Sequence, residues 1–316
     1  MASPNSTFTE MVTTTLRNHP SAVYDNVTNN NALFARLRKR GKIKRLSGGY
    51  EIVRPLDYAE NSTFQWYDGY ETLNVGQSDV LSAAKYDWKQ AAVNVVASGR
   101  ELRMNMGKEQ IIDLAEARTT NAMRTMANKV SEGIYSDGTG SGSKEIGGLD
   151  LLIQTDGLGT VGGINASANS FWANQFKDGS TITTTNIKGS MNELWLDCVR
   201  GADKPDLICS SNEIFNTFWN SLQDLQRYAS ADEGVAGFTS LKFVTADVIH
   251  DGGSGITANR MFFLNTNYLE LVVHRDADMS VQEDKVSFNQ DATAIPILFM
   301  GNLCVSNRAR QGVLFT

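Results

Sequence analysis

The clearest hydrophobic period in the chain runs from Met106 to Tyr135. Ile111, Leu114, Ala115, Ala122, Met126, Val130 and Ile134 recur at helical spacing, with Glu109, Asp113, Glu116, Arg118, Arg124 and Lys129 between them. No proline interrupts the stretch, and Gly138 stands just past it as a stop signal. One helix over 106–135 is expected, about 45 Å long at a rise of about 1.5 Å per residue. Most globular helices are shorter, so a rod of this length implies an elongated subunit.

The pattern changes on either side of that helix. Thr7 and Glu10 have capping-box spacing for a short helix ending before Pro20, and Asn31 to Arg40 reads as a second one. After Gly48-Gly49 the chain alternates through YEIVRPL, FQWY around Trp66, and Leu73 and Val75, which predicts a long β-ribbon over 47–84. A lone two-stranded ribbon is marginal in water, so this one must rest on something else. KYDWKQAAVNVVASGR gives a strand with Val93 and Val95 on one face. Past the long helix, the glycine-rich SDGTGSGSKEIGGLDLLI is read as a linker ending in an apolar strand. Asn186 is expected to cap a helix through Met191, Leu194, Trp195 and Val199, and Asn212 one through Phe215, Phe218, Leu222 and Leu225. DLICS, LKFVTADVI, RMFFLN, YLELVVH and IPILFMGNLCVSN read as strands, with a loop at Asp276–Asp291. Helices and strands mix without the regular alternation of a doubly wound sheet, so the class is α+β.

Composition adds bounds. With 316 residues, 41% hydrophobic and 20% charged, the chain can bury a sizeable core. It has no apolar run long enough to span a bilayer and no secretory signal in MASPNSTFTE. The three cysteines, Cys198, Cys209 and Cys304, share no ligand spacing and read as small buried hydrophobes. A net charge of −6 argues against a general nucleic-acid binder. Charge is nevertheless segregated. Between 36 and 45 stand Arg36, Arg38, Lys39, Arg40, Lys42, Lys44 and Arg45. The ribbon carries Glu51, Asp57, Glu60, Asp68, Glu71 and Asp79 against Arg54 alone. Its aromatics include Phe64, Trp66, Tyr67 and Tyr70, which on a protruding ribbon suit a protein interface.

Catalytic patterns fail on inspection. Gly157 to Gly162 fits G-x-G-x-x-G, but no helix-forming segment follows to face a phosphate, so it reads as a flexible loop. Gly41-Lys42 and Gly107-Lys108 lack the Ser or Thr of a phosphate loop, and no G-x-S-x-G elbow is present. His19, His250 and His274 are isolated in sequence. An enzyme would need a pocket assembled from scattered residues such as His250, Asp247 and Cys209. No catalytic, cofactor or metal residue is assigned.

An N-terminal arm, an acidic aromatic ribbon, a long helix and a mixed body together have a counterpart. The stretches NALFARLRKRGKIKRLSGGYEIVRPLDYAENSTFQWYDGYETL, KYDWKQAAVNVVASGRELRMNMGKEQIIDLAEAR, SEGIYSDGTGSGSKEIGGLDLLI and LFMGNLCVSNRARQGVLF carry the likeness. In them, and over nearly its whole length, the chain resembles the major capsid proteins of tailed bacteriophages, with the Hong Kong 97-like fold. The resemblance implies an N-arm at 1–46 and an extended β-hairpin E-loop at 47–84. It further implies a P-domain from 85–150 and 266–316, with the spine helix at 106–135, and an A-domain at 151–265. Such proteins assemble as hexamers and pentamers into an icosahedral shell around double-stranded DNA. The implied partners are further copies, a portal protein, separate scaffolding and decoration proteins, and packaged DNA on the inner wall without sequence specificity. No membrane is implied; the implied location is the virion, after assembly in the host cytoplasm.

The inter-subunit contact candidates are the seven cations from Arg36 to Arg45 listed above, with Glu51, Asp57, Glu60, Phe64, Trp66, Tyr67, Asp68, Tyr70 and Glu71. Complementary charge makes the acidic ribbon and the basic run partners between subunits. Two departures from the family matter. Some members weld subunits through an E-loop lysine, but no lysine lies between Lys44 and Lys85, so no such cross-link is expected. No long charged helix precedes the arm, so scaffolding would come from a separate protein, unless the chain begins after processing. The nearest rival is an encapsulin-like compartment, with the same fold and a protein cargo.

Overall fold

The computed structural model describes residues 32–104, 114–222, 240–251, 255–283, 285–286 and 291–316. The chain opens with helix α1 (Ala32–Lys39) and strand β1 (Ile43–Leu46). The ribbon follows as β2 (Ile52–Asp57) and β3 (Leu81–Tyr86), then β4 (Lys89–Ser98), α2 (Gly99–Met104) and the spine helix α3 (Leu114–Gly133). At 20 residues the described spine is about 30 Å long. The expected start of that helix, from Met106, lies outside the described residues, as does the expected helix from Thr7.

A first six-stranded sheet is organised on the long strand β15 (Ala292–Val305). Along one edge it pairs antiparallel with β4, from Ala292↔Ser98 to Gly301↔Lys89. On its other edge it meets β12 (Leu269–His274) and the short β13 (Ser280–Val281) and β14 (Lys285–Val286), and β1 adds parallel outside β12. Gly301 is paired on both sides, and a Cβ there would sit 2.5 Å from the Val272 carbonyl oxygen. Only glycine fits that crossing.

The second sheet runs β7 (Gln175–Asp178), β16 (Gly312–Phe315), β11 (Arg260–Leu264), β8 (Leu207–Ser210), β10 (Ala246–His250) and β9 (Ser240–Phe243). Because strand side chains alternate, its two faces belong to two cores. Ile208, Val248, Met261, Phe263 and Leu314 pack under α5 (Ile187–Cys198) and α6 (Asn212–Ser221), against Met191, Leu194, Ile214 and Phe218. Leu207, Cys209, Ile249, Phe262 and Val313 face the other way and join Ala122, Met126, Val130 and Ile134 of the spine and the first sheet. The spine's apolar stripe thus belongs to the same core as the first sheet and one face of the second.

Several local expectations are corrected. LDLL is not a strand: Leu149–Leu152 is a single helical turn, α4, started where the Leu149 amide donates to the Ile134 carbonyl oxygen (2.7 Å). The adjacent Gly148 has no room for a Cβ, which would come within 2.5 Å of the Gly133 and Ile134 carbonyl oxygens. The 157–162 segment is not an open loop. Thr160–Val161 (β5) and Ile164–Asn165 (β6) form a tight hairpin whose turn places Gly162 and Gly163 at positive φ, as such turns require. LKFVTADVI is two strands, β9 and β10, folded back at Val244. Asn212 begins α6 rather than capping it; Ser211 holds the extended cap position. At α5, Asn186 stands at the N-cap as expected, but its side chain turns back: its Oδ1 accepts from the Thr183 amide (2.8 Å) while the Asn186 amide donates to the Thr183 hydroxyl (3.4 Å). This is reciprocal capping, one turn earlier than expected. The 276–291 segment, expected as a loop, carries β13 and β14.

Candidate assembly interface

The ribbon is anchored at its base and bare at its tip. β2 and β3 pair from Ile52↔Tyr86 to Asp57↔Leu81. The Lys85 amide donates to the Gly162 carbonyl oxygen (2.9 Å), so the β5–β6 hairpin supports β3. The Tyr86 hydroxyl donates to the Val305 carbonyl oxygen (2.8 Å), and Arg54 pairs with Glu270 of β12 (2.9 Å). Burial pushes the Tyr86 phenol well above its ordinary range. The ribbon therefore rests partly on its own subunit, and sequence gave no sign of these anchors because every partner is distant in the chain.

Residues 58–80 carry no helix or strand. Phe64, Trp66, Tyr67 and Tyr70 are 73%, 89%, 64% and 107% exposed, and Val75 is 93% exposed. The Phe64 and Trp66 rings meet edge-on at 5.5 Å, a contact confined to the segment itself. Asp57, Glu60, Asp68, Glu71 and Asp79 are exposed and form no ion pair among the described residues. Glu51 differs, since it faces Lys85 of the same ribbon (3.7 Å). Exposed aromatics beside free carboxylates are an interface composition, incomplete in a lone subunit.

The basic run divides in two. Arg36 is buried and pairs with Asp247 (2.9 Å), Arg40 with Asp206 and the Thr266 hydroxyl, and Arg45 with Asp278 (2.6 Å). Lys42 donates to the Asn267 carbonyl oxygen (3.1 Å). These four contact candidates hold partners within the subunit's own body. Arg38, Lys39 and Lys44 are exposed and make no ion pair among the described residues. The periodicity of α1 explains the division: Leu33, Arg36, Leu37 and Arg40 share one face, and Arg38 and Lys39 lie off it.

Of the scattered residues named for an enzyme pocket, Asp247 and Cys209 share one face of the second sheet, and His250 lies on the other. Asp247 and His250, three apart on β10, point to opposite faces of the sheet. Asp247 holds Arg36, the His250 ring lies 5.5 Å from Phe215, and Cys209 is fully buried. Burial pushes the thiols of Cys198 and Cys304 up to about 12. Arg308, which sequence reading passed over, is fully buried and donates to the carbonyl oxygens of Leu158 (2.6 Å), Leu152 (2.7 Å) and Trp172 (3.4 Å). Desolvation lowers it to about 10. It ties three separate segments to the C-terminal segment.

No protein-family model and no curated protein matches the sequence. Solved structures do match, almost end to end. The chain is similar to the capsid subunit of cyanophage A-1(L), at 14% identity and a TM-score of 0.71, over 95% of this chain and 96% of that one. It is similar to the capsid chain of cyanophage P-SCSP1u, at 10% identity and a TM-score of 0.59, over 95% and 92%. An encapsulin of Synechococcus elongatus matches at 9% identity and a TM-score of 0.58, over 93% and 91%. The chain has the α+β, Hong Kong 97-like fold of tailed-phage capsid subunits, as the resemblance implied.

Proposed function

We propose that the chain is the major capsid protein of a tailed bacteriophage, closing as hexamers and pentamers into an icosahedral shell around double-stranded DNA. The observation that carries this reading is an exposed acidic, aromatic ribbon tip on a subunit that matches a phage capsid chain over 95% of its length. In this reading 1–46 is the N-arm, 47–84 the E-loop, 85–150 with 266–316 the P-domain, and 151–265 the A-domain, with the last strand, β16, reaching into the second sheet between β7 and β11. The E-loop tip lies on a neighbouring subunit, where Arg38, Lys39 and Lys44 complement Asp68 and Glu71. The protein is structural rather than enzymatic. It works with a portal and with separate scaffolding and decoration proteins, its inner wall faces DNA without reading sequence, and it resides in the virion after assembly in the host cytoplasm.

Sedimentation velocity tests this on the full chain and on a variant with 58–80 replaced by a short Gly-Ser turn. Large particles are expected from the first and subunits from the second; equal assembly by both would overturn the role given to the ribbon. The encapsulin likeness supports a second reading, a compartment with protein cargo. Nuclease-resistant DNA inside particles from the native source favours the phage shell, and a co-purified enzyme favours the compartment.

A further inference from the structure

Helix α1 is unusual in how little of its stability is its own. It has eight residues, no acidic residue in its first turn, and Arg36, Arg38 and Lys39 in its last. A helix this short does not hold in water by itself. The missing negative end is supplied from strand β10 and its exit, over 200 residues away. The Asp251 carboxylate, 2% exposed, accepts from the Leu33 amide at the helix N-terminus (3.4 Å). One turn on, Asp247 holds Arg36 (2.9 Å), and one turn further Asp206 holds Arg40. Three carboxylates in or flanking strands of the second sheet thus grip the start, the middle and the exit of this two-turn helix, with Leu33 and Leu37 fully buried between them. A carboxylate at the helix N-terminus complements the positive end of the macrodipole, which makes the grip directional.

Asp251 has another duty. The Tyr135 hydroxyl, at the end of the spine, donates to the same Oδ2 atom at 2.5 Å. Cys209 of β8 lies beside both, and Arg36 is the nearby cation. One carboxylate oxygen therefore joins the start of α1, the end of the spine and the second sheet.

We propose that α1 is a clip, folded only while docked, and that Asp251 makes its docking depend on the end of the spine helix through Tyr135. Release would turn eight residues from about 12 Å of helix into about 27 Å of extended chain. The inference does not rest on the proposed function, since it concerns the subunit alone.

The test is hydrogen–deuterium exchange on the full chain and on Tyr135→Phe, compared in the same assembly state. Tyr135 does not contact α1 through its hydroxyl, yet its loss is expected to speed exchange of the 33–39 amides about tenfold, leaving Leu303–Val305 of β15 unchanged. Unchanged protection of α1 would overturn the coupling. Equal acceleration of α1 and β15 would overturn the separate clip. Should Tyr135→Phe fail to fold, Asp247→Asn carries the test: selective loosening of 33–39 is expected, and protection as in the parent refutes the ionic grip.

Discussion

Trp66→Ala separates the cost of folding from the cost of assembly. Trp66 is 89% exposed, and its ring contact is with Phe64, in the same segment. Removing an exposed side chain of this kind changes subunit stability by at most about 0.5 kcal/mol, a shift of under about 2 °C in Tm. The proposed contact with a neighbouring subunit would cover the same ring. A tryptophan carries about 250 Å² of surface; covering half of it at about 25 cal/mol per Å² gives about 3 kcal/mol per contact. That is rather more than a hundredfold in association constant. Light scattering against protein concentration should show the assembly threshold rising steeply for Trp66→Ala while the thermal melt of the dissociated subunit stays put. Trp172→Ala is the control with the opposite outcome. Trp172 is 1% exposed and its Nε1 donates to the Val161 carbonyl oxygen (2.9 Å), so its loss should cost the fold about 3–5 kcal/mol. An unchanged threshold for Trp66→Ala, or a melt lowered by more than about 4 °C, would refute the reasoning.

The remaining predictions use the same separation. Charge reversal of Arg38 and Lys39 should impair assembly and spare the melt, whereas Arg40→Glu should lower the melt, because Asp206 would then face a like charge; normal particles from the Arg38 and Lys39 double reversal would contradict this. Arg308→Met should destabilise the subunit by several kcal/mol in chemical denaturation, since three buried carbonyl oxygens lose their donor. Cys198 and Cys304 are raised from 9 to about 12 by burial, so the unfolded chain sheds their protons first as pH climbs. Their contribution is intact below about pH 9 and is lost between there and about 12, at about 1.4 kcal/mol per group per pH unit. A melt series from pH 7 to 11 should therefore fall above pH 9, and more gently in Cys198→Ala. Denaturing gels of mature particles should show the subunit without a covalent ladder of multimers.

Much of the fold was legible because periodicity reports burial. Ala122, Met126, Val130 and Ile134 marked the spine's inner face from spacing alone, and DLICS was recognisable as a strand buried on both sides. Misreadings came where tertiary contacts overrode local pattern. LDLL looks apolar enough for a strand, but the free Ile134 carbonyl oxygen at the spine's end draws it into a helical turn. LKFVTADVI reads as one run because Val244, a β-branched residue, is an unexpected turn former at φ 54. The ribbon's acidic and aromatic character was visible in composition. The division of the basic run was not, because Asp206, Asp247 and Asp278, which decide it, lie more than 160 residues downstream.

The proposed function requires that this chain close into a shell. Negative-stain microscopy with light scattering on the purified full chain tests it most directly. Shells, tubes or rings of five or six subunits are the predicted result. A monodisperse monomer that persists at high concentration and in the presence of its cognate scaffolding protein would contradict it.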